Sequence, residues 1–307
     1  MLPLIYHSSY SDLDLPKNHR FPTSKYRDIY QYLLDNKLAV PAQFYSPTPV
    51  SIDDIKTIHC PDYVDQLFTN TINPKAMRRI GFPWSEKLMV RSRHSLAGTA
   101  LTAKLAIEHG RAIHLTGGYH HAHYNFGSGF CVFNDLIFAA TQALKEPNIE
   151  KVLIFDCDVH QGDGTATMAQ DNDKIITCSL HCAKNFPARK AQSSYDIELE
   201  KGTSSDEYLT TVEETLSLLI RLHQPDLILY DAGVDIHQDD DLGYLNICDQ
   251  GIAKRDELVF STAAKNDIPV AAVIGGGYSR DRQQLINRHF HLIQQATKLC
   301  ASMACPN

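Results

Sequence analysis

No Cys-x-x-Cys pair occurs in this chain, and its eight cysteines are scattered. Several of them, Cys131, Cys157 and Cys178, sit inside apolar runs, where a small reduced core residue is the ordinary reading. That argues against a disulfide framework and for an intracellular, cytoplasmic protein in a reducing compartment. No apolar run approaches the roughly 18 residues of a membrane span. Residues 1–7 lack the basic start and long apolar stretch of a signal peptide. Positive charge is not in excess either: the formal net charge is −7 and the pI near 6.1. No stretch concentrates Lys and Arg as phosphate contacts require, so direct nucleic-acid binding is not expected, and a cationic or neutral substrate fits the overall charge better. No repeat, low-complexity tract or Ser/Gly/Pro linker divides the sequence, which predicts one domain over residues 1–307.

With 43% hydrophobic and 21% charged residues, the chain can bury a sizeable core. Its length exceeds the usual single domain, but α/β folds with a large sheet reach it undivided. Six short β-rich runs stand out at residues 4–6, 112–115, 152–155, 175–180, 227–230 and 269–274. They are almost continuously apolar, as strands buried on both faces must be. Helical patterns fill residues 96–109, 136–144, 207–222 and 252–265. Ser204-x-x-Glu207 is a capping-box signature, and Gly110 stands where a helix should stop. Strands alternating with helices predict an α/β fold with a mainly parallel sheet covered on both faces.

The unusual residues fall immediately after the predicted strands: His120 and His121, Asp156 to Asp163, His181, Asp235, and Gly275 to Tyr278. Loops leaving adjacent parallel strands converge at the carboxyl edge of the sheet, so residues remote in sequence can share one pocket there. The strongest local signal is Asp156-Cys157-Asp158-Val159-His160-Gln161-Gly162-Asp163-Gly164. A crowded carboxylate cluster is costly unless a cation offsets it, and carboxylate with imidazole suits Zn²⁺ or a neighbouring first-row ion. Alone, an Asp-x-Asp turn more often caps a helix; matching chemistry at other strand ends, Asp235 above all, weakens that alternative.

The tandem His120-His121 suits a catalytic pair, each ring held by its own partner, better than two ligands of one ion. An exposed His-rich turn is the bland alternative. His7, His19, His59, His94 and His109 read as surface or capping residues. Gly275-Gly276-Gly277-Tyr278 allows a close backbone approach that would turn the Tyr hydroxyl inward; an ordinary strand-to-helix turn with a core Tyr is equally consistent.

Taken in order, Gly-Gly-Tyr-His-His-Ala (117–122), Gly-Ser-Gly-Phe-Cys (127–131), the Asp-rich run (156–164), Ala-Gly-Val-Asp (232–235) and Gly-Gly-Gly-Tyr (275–278) resemble the histone deacetylase family. The stretches 19–26, 198–203 and 254–260, with Leu242-Gly243, look most like class IV members and their bacterial relatives. The resemblance covers nearly the whole chain and implies an arginase/deacetylase fold, a three-layer α/β/α sandwich. It implies a zinc-dependent amidohydrolase with Asp158, His160 and Asp235 as ligands and one coordination position open. By the same resemblance His121 is the general base and His120 its neighbour in the charge network. Asp156 and Asp163 orient the two histidines, and Tyr278 polarises the carbonyl.

Gly129 matches the carbonyl that receives the substrate amide, and Phe130 and Phe186 the walls of an acyl-lysine tunnel, though either could be core. A structural K⁺ would involve Asp156, Ser179 and the carbonyls of Asp158, His160 and Leu180. The substrate implied is acyl-lysine in protein or an acylated small amine such as a polyamine. A two-metal arginase-like ureohydrolase and a non-catalytic acyl-lysine-binding module remain as rivals. Two departures stand out. Some class IV members have Asn where this chain has Asp163, and no counterpart is evident to the acidic rim residue that clamps a peptide backbone in many members.

Overall fold

The computed structural model describes residues 1–303. Its centre is an eight-stranded, wholly parallel sheet. The strands are β1 (Leu4–Ile5), β2 (Phe44–Tyr45), β3 (Arg111–His114), β4 (Val152–Asp156), β5 (Ile175–Cys182), β6 (Tyr195–Leu199), β7 (Leu227–Asp231) and β8 (Val270–Val273). Their order is β2-β1-β3-β8-β7-β4-β5-β6. All six expected strands form. The four in the middle, β3, β8, β7 and β4, are buried at every residue, which is why β8 is apolar throughout and β4 and β7 are apolar up to a terminal Asp, while β3 is apolar between Arg111 and His114.

The two strands not anticipated are the edges. β2 has two residues, neither buried, and β6 reads Tyr-Asp-Ile-Glu-Leu with only its last residue buried. An edge strand has a neighbour on one side only and does not need the continuous apolar run that marked the others.

Helices Glu86–His109, Asp135–Ala143 and Asp163–Ala169 pack in series in one layer. Ser205–His223, Asp249–Lys265, Arg282–Met303 and Lys25–Asp35 pack in series in the other, completing the expected α/β/α sandwich. The hydrophobic core is continuous from Leu2 to Ala296. Ser204 accepts from the Glu207 backbone as the capping signature predicted, and Gly110 ends its helix in a left-handed conformation with φ +80°.

That helix begins ten residues earlier than the apolar pattern suggested, because its first half hides a charge. Arg91 is 2% exposed and donates to Tyr10 O at 3.0 Å and Tyr119 Oη at 2.7 Å, so the inward face there is polar. Among the described residues Cys60, Cys131, Cys157, Cys178, Cys182 and Cys248 are free thiols, and no helix is long and apolar enough to cross a membrane.

His59 is not the surface residue expected; it is fully buried. Its Nδ1 donates to His123 O at 3.0 Å, while its Nε2 accepts from Asn134 N at 3.0 Å. Only the neutral ring can do both, and burial holds its pKa down to about 4. The unfolded ring, with a pKa near 6.5, binds a proton before the folded one does. Its contribution to stability is therefore full above roughly pH 6.5 and lost as pH falls towards 4. Between pH 7 and 4, wild type should lose about 3 kcal/mol more unfolding free energy than His59→Gln, measured by urea titration. Parallel pH profiles for the two proteins would contradict this.

Candidate active site

Every chemically unusual loop leaves the same edge of the sheet. β4 ends at Asp156, whose Oδ1 accepts from Asp158 N at 3.0 Å and so folds the following turn back on itself. Within that turn Asp158 Oδ1 accepts from His160 N at 2.9 Å. β7 ends two strands' width from β5, beside β4, and its loop brings in Asp235, whose Oδ1 accepts from Val159 N at 3.1 Å. Behind β8, Gly276 N donates to Asp158 Oδ2 at 2.9 Å. A Cβ at Gly276 would collide with the carboxylates of both Asp158 and Asp235, so the glycine is required by close approach.

Asp158, His160 and Asp235 are thereby gathered with ligand atoms within 4.8 Å of one another, all buried. His160 Nδ1 lies 3.0 Å from Asp158 Oδ1 and 3.2 Å from Asp235 Oδ2, yet Asp235 Oδ2 receives no well-directed hydrogen bond. One ring proton cannot serve two carboxylates, whereas one cation between the three groups can. Burial, with Asp158 beside it, pushes the Asp235 carboxyl up to about 7. These buried donors, one imidazole and two carboxylates, fit a zinc-type ion.

The tandem histidines sit in a turn rather than on an extended segment. Their rings consequently lie side by side, centroids 4.2 Å apart, and are not opposed. Each has its own carboxylate: His120 Nδ1 is 2.7 Å from Asp156 Oδ2, and His121 Nδ1 is 2.7 Å from Asp163 Oδ1. Burial works against charge on both rings. At His120 the carboxylates of Asp156, Asp158 and Asp231 outweigh burial and hold the pKa well above the usual range. At His121 burial, reinforced by His120, prevails and holds it down to about 4. Tyr278 closes the group, its ring 6.3 Å from that of His160 and its backbone N–H donating to Asp240 Oδ2 at 2.8 Å.

A family model described as "Histone deacetylase domain" matches residues 19–292. The chain belongs to the histone deacetylase family. It is 42% identical over 287 residues to an uncharacterized protein of Picosynechococcus, covering 94% of this chain and 95% of that one. It is 32% identical over 295 residues to Histone deacetylase 2 of Arabidopsis thaliana, covering 92% and 76%. A solved structure of an HDAC homolog complexed with SAHA superposes with TM-score 0.80 at 23% identity, over 95% of this chain and 82% of that one, a likeness of fold.

In this histone deacetylase domain a cleft of about 550 Å³ opens onto His121, His160 and Tyr278, and Gly129, Phe130 and Phe186 line it. Phe186 is 45% exposed, with its ring edge-on to His121 at 4.8 Å, so it is a wall and not core. Phe130 packs against Phe21, Phe82 and His19 on one side and faces Tyr278 at 6.0 Å on the other. Gly129 O meets the Cys131 thiol at 3.4 Å, a weak donor. Ser179 is the register partner of Asp156 across β4 and β5. Its Oγ is 3.1 Å from His181 Nδ1, and Leu180 between them is fully buried. His181 itself lies inside β5, not in the loop beyond it, and does not line the cleft.

Four residues of the site carried no recognisable signal. Asp135, at the start of the next helix, anchors the histidine loop by accepting from Gly118 N at 3.1 Å and Tyr119 N at 2.7 Å. His123 shares Asp163 with His121, its Nε2 3.1 Å from Asp163 Oδ2. Lys25 is 2% exposed and donates to Gly275 O at 2.9 Å; burial lowers its pKa to about 8. Asp231 is fully buried, with neither carboxyl oxygen hydrogen-bonded and Oδ2 at 3.9 Å from His120 Nδ1. Burial, then Asp156, raises its pKa well above the carboxylate range. Lys25 lies within the stretch 19–26, His123 closes the histidine run and Asp231 precedes the Ala-Gly-Val-Asp motif, but nothing in those stretches marked them out; Asp135 stood in none.

Proposed function

We propose that this chain is a zinc-dependent deacylase that hydrolyses an N-acyl amide, with acyl-lysine in protein as the substrate class. The observation that carries the reading is the pairing of a buried three-ligand cluster with two adjacent histidines of opposite proton affinity, His121 and His160 lining the cleft and His120 and Asp158 lining the small cavity that His121 shares with it. Bound by Asp158, His160 and Asp235, the ion supplies Lewis acidity and an open position for an oxygen ligand.

His121 is the general base. Its Nδ1 is committed to Asp163, which leaves Nε2 of the neutral ring to take a proton from water. His120, held charged against Asp156, contributes positive charge where negative charge develops and keeps a proton available as the amine departs. Burial, together with Asp158 and Asp235, keeps the Tyr278 hydroxyl protonated, so it can donate to the carbonyl oxygen as that oxygen becomes an anion. Gly129 O accepts the substrate amide N–H, and Phe130 and Phe186 flank the acyl-lysine stem.

Residues 1–307 act as one catalytic domain of class IV type. The adjacency of Asp156 and Ser179 supports a structural K⁺ held there with carbonyls that include that of Leu180. The free thiols support a cytoplasmic location.

A two-metal, ureohydrolase-like reading has one observation on its side. His120, Asp156 and Asp231 also bring ligand atoms within 4.8 Å. The direct 2.7 Å contact between His120 and Asp156 fills that space and favours the one-metal reading. Purified protein offered acetyl-, lactyl- and fatty-acyl-lysine peptides and acetylated polyamines should release free acid or amine from at least one, with one zinc per chain. Chelator should stop the reaction. Tight binding of an acyl-lysine peptide without release, or two Mn²⁺ held per chain, would overturn the proposal.

A further inference from the structure

The overall charge is misleading at the mouth of the cleft. Beside the cleft, and sharing Leu242 and Tyr278 with it, lies an open bay of about 690 Å³. Its walls carry Lys17, Arg20, Arg280 and Arg282 against one carboxylate, Asp241. Arg79 and Lys184 stand on the cleft wall itself, which has no acidic residue at its opening. The mouth thus gathers six of the chain's 29 cationic residues and one of its 36 acidic ones. A random sharing of a chain with net charge −7 would leave such a region slightly negative.

Nor is this charge neutralised from within. Asp241 is taken by Arg280 at 3.1 Å. Arg282 reaches only the carbonyl of Ser279, at 3.5 Å, and Arg79 lies over the Phe126 ring at 4.6 Å. Among the described residues Lys17 and Arg20 have neither a hydrogen bond nor an ion pair. Like charges held around a concave, partly apolar surface repel one another and focus a positive potential into it, an arrangement that an anion relieves. The acyl-lysine stem is neutral and fills the tunnel, so it is the groups flanking the acylated amine that would lie in this field. A cationic flank, or the second amine of a polyamine, would sit there at an electrostatic cost.

We infer that this chain selects N-acyl amines flanked by carboxylates, an acyl-lysine in an acidic setting, over those flanked by cations. The inference rests on the deacylase reading above and names its substrate class. It reverses the preference for cationic or neutral substrates that the net charge suggested, because a substrate meets the local field and not the total.

The test is hydrolysis, by the zinc-loaded full chain, of acetyl-lysine peptides of one length flanked by Asp/Glu, by Ala or by Lys/Arg. An Ala-flanked peptide with a free α-carboxylate beside the acetyl-lysine distinguishes a terminal carboxylate from acidic side chains, and an acetylated polyamine completes the series. At about 50 mM salt kcat/KM should favour the acidic over the basic peptide by roughly 10-fold, chiefly through KM, and the ratio should fall towards one by about 0.5 M salt as screening sets in. In the Lys17→Glu/Arg282→Glu double variant the ratio should drop to about one or invert. A wild-type ratio at or below one, or a preference untouched by salt and by charge reversal, would overturn the inference while leaving the deacylase reading intact. Failure to cleave any of these substrates, with the acyl group varied through acetyl, lactyl and fatty acyl, would instead remove the deacylase reading and this inference with it.

Discussion

His121→Ala and Tyr278→Phe should each lower turnover roughly 10²- to 10⁴-fold while the protein keeps its metal. Neither side chain belongs to the three-ligand cluster, so zinc content should stay at the wild-type value in both. The loss at His121 is the loss of the one ring in the cleft that is both neutral and anchored, with burial keeping it unprotonated and Asp163 fixing which nitrogen faces substrate. The loss at Tyr278 is a single hydroxyl. In the proposed ligand set two of the three groups are anionic, which would weaken the ion as a Lewis acid and leave the hydroxyl to supply more of the oxyanion stabilisation. Steady-state kinetics with metal analysis on the same samples tests both. Near-normal kcat in either variant, with zinc bound, would remove that residue from the mechanism.

Asp235→Asn should weaken zinc binding roughly 10²- to 10³-fold and reduce activity at limiting zinc to background. The same substitution should have the opposite effect on the metal-free protein. Burial and the neighbouring Asp158 push the Asp235 carboxyl up to about 7, so at pH 8 its ionised form is held in the fold at a cost. For a carboxylate with a raised pKa this cost is absent below the unfolded pKa, grows as pH rises through the window, and is complete above the folded value. A neutral Asn escapes it. Metal-free Asp235→Asn should therefore melt at or above metal-free wild type at pH 8, whereas saturating zinc should reverse the order. Zinc at 1,000 times its dissociation constant stabilises the protein that binds it by about 4 kcal/mol. Equal zinc-induced shifts in Tm for the two proteins would rule out Asp235 as a ligand.

The residues on which these predictions turn were legible to different degrees. Asp158 and His160 stand two apart on one loop, and a loop after an apolar strand run presents such groups together without help from the rest of the chain. Asp235 needed the further step that parallel strands deliver their loops to one edge; β7 lies beside β4, and the step holds. The histidine pair was legible as two rings with separate partners, but not that the chain turns there and sets the rings side by side. Asp135 stood in no pattern, and His123 and Lys25 stood in noticed stretches that gave them no role, since each acts through a contact that only packing creates. The edge strands β2 and β6 and the first turns of helix Glu86–His109 escaped for a different reason. Hydrophobic periodicity reports burial, and these segments are either half exposed or, at Arg91, buried through polar contacts.

What the sequence by itself determined is the set of strands buried on both faces, the family, and the kinds of group waiting at the strand ends, because apolar runs and short motifs are written in consecutive residues. What only the tertiary structure decided is which of those groups share a partner, which histidine is charged and which is neutral, and the sign of the field at the cleft mouth. Those properties are sums over neighbours brought together from distant parts of the chain. Burial and Coulomb interaction depend on distance in space, and residues 17, 79, 184 and 282 become neighbours only when the sheet is assembled.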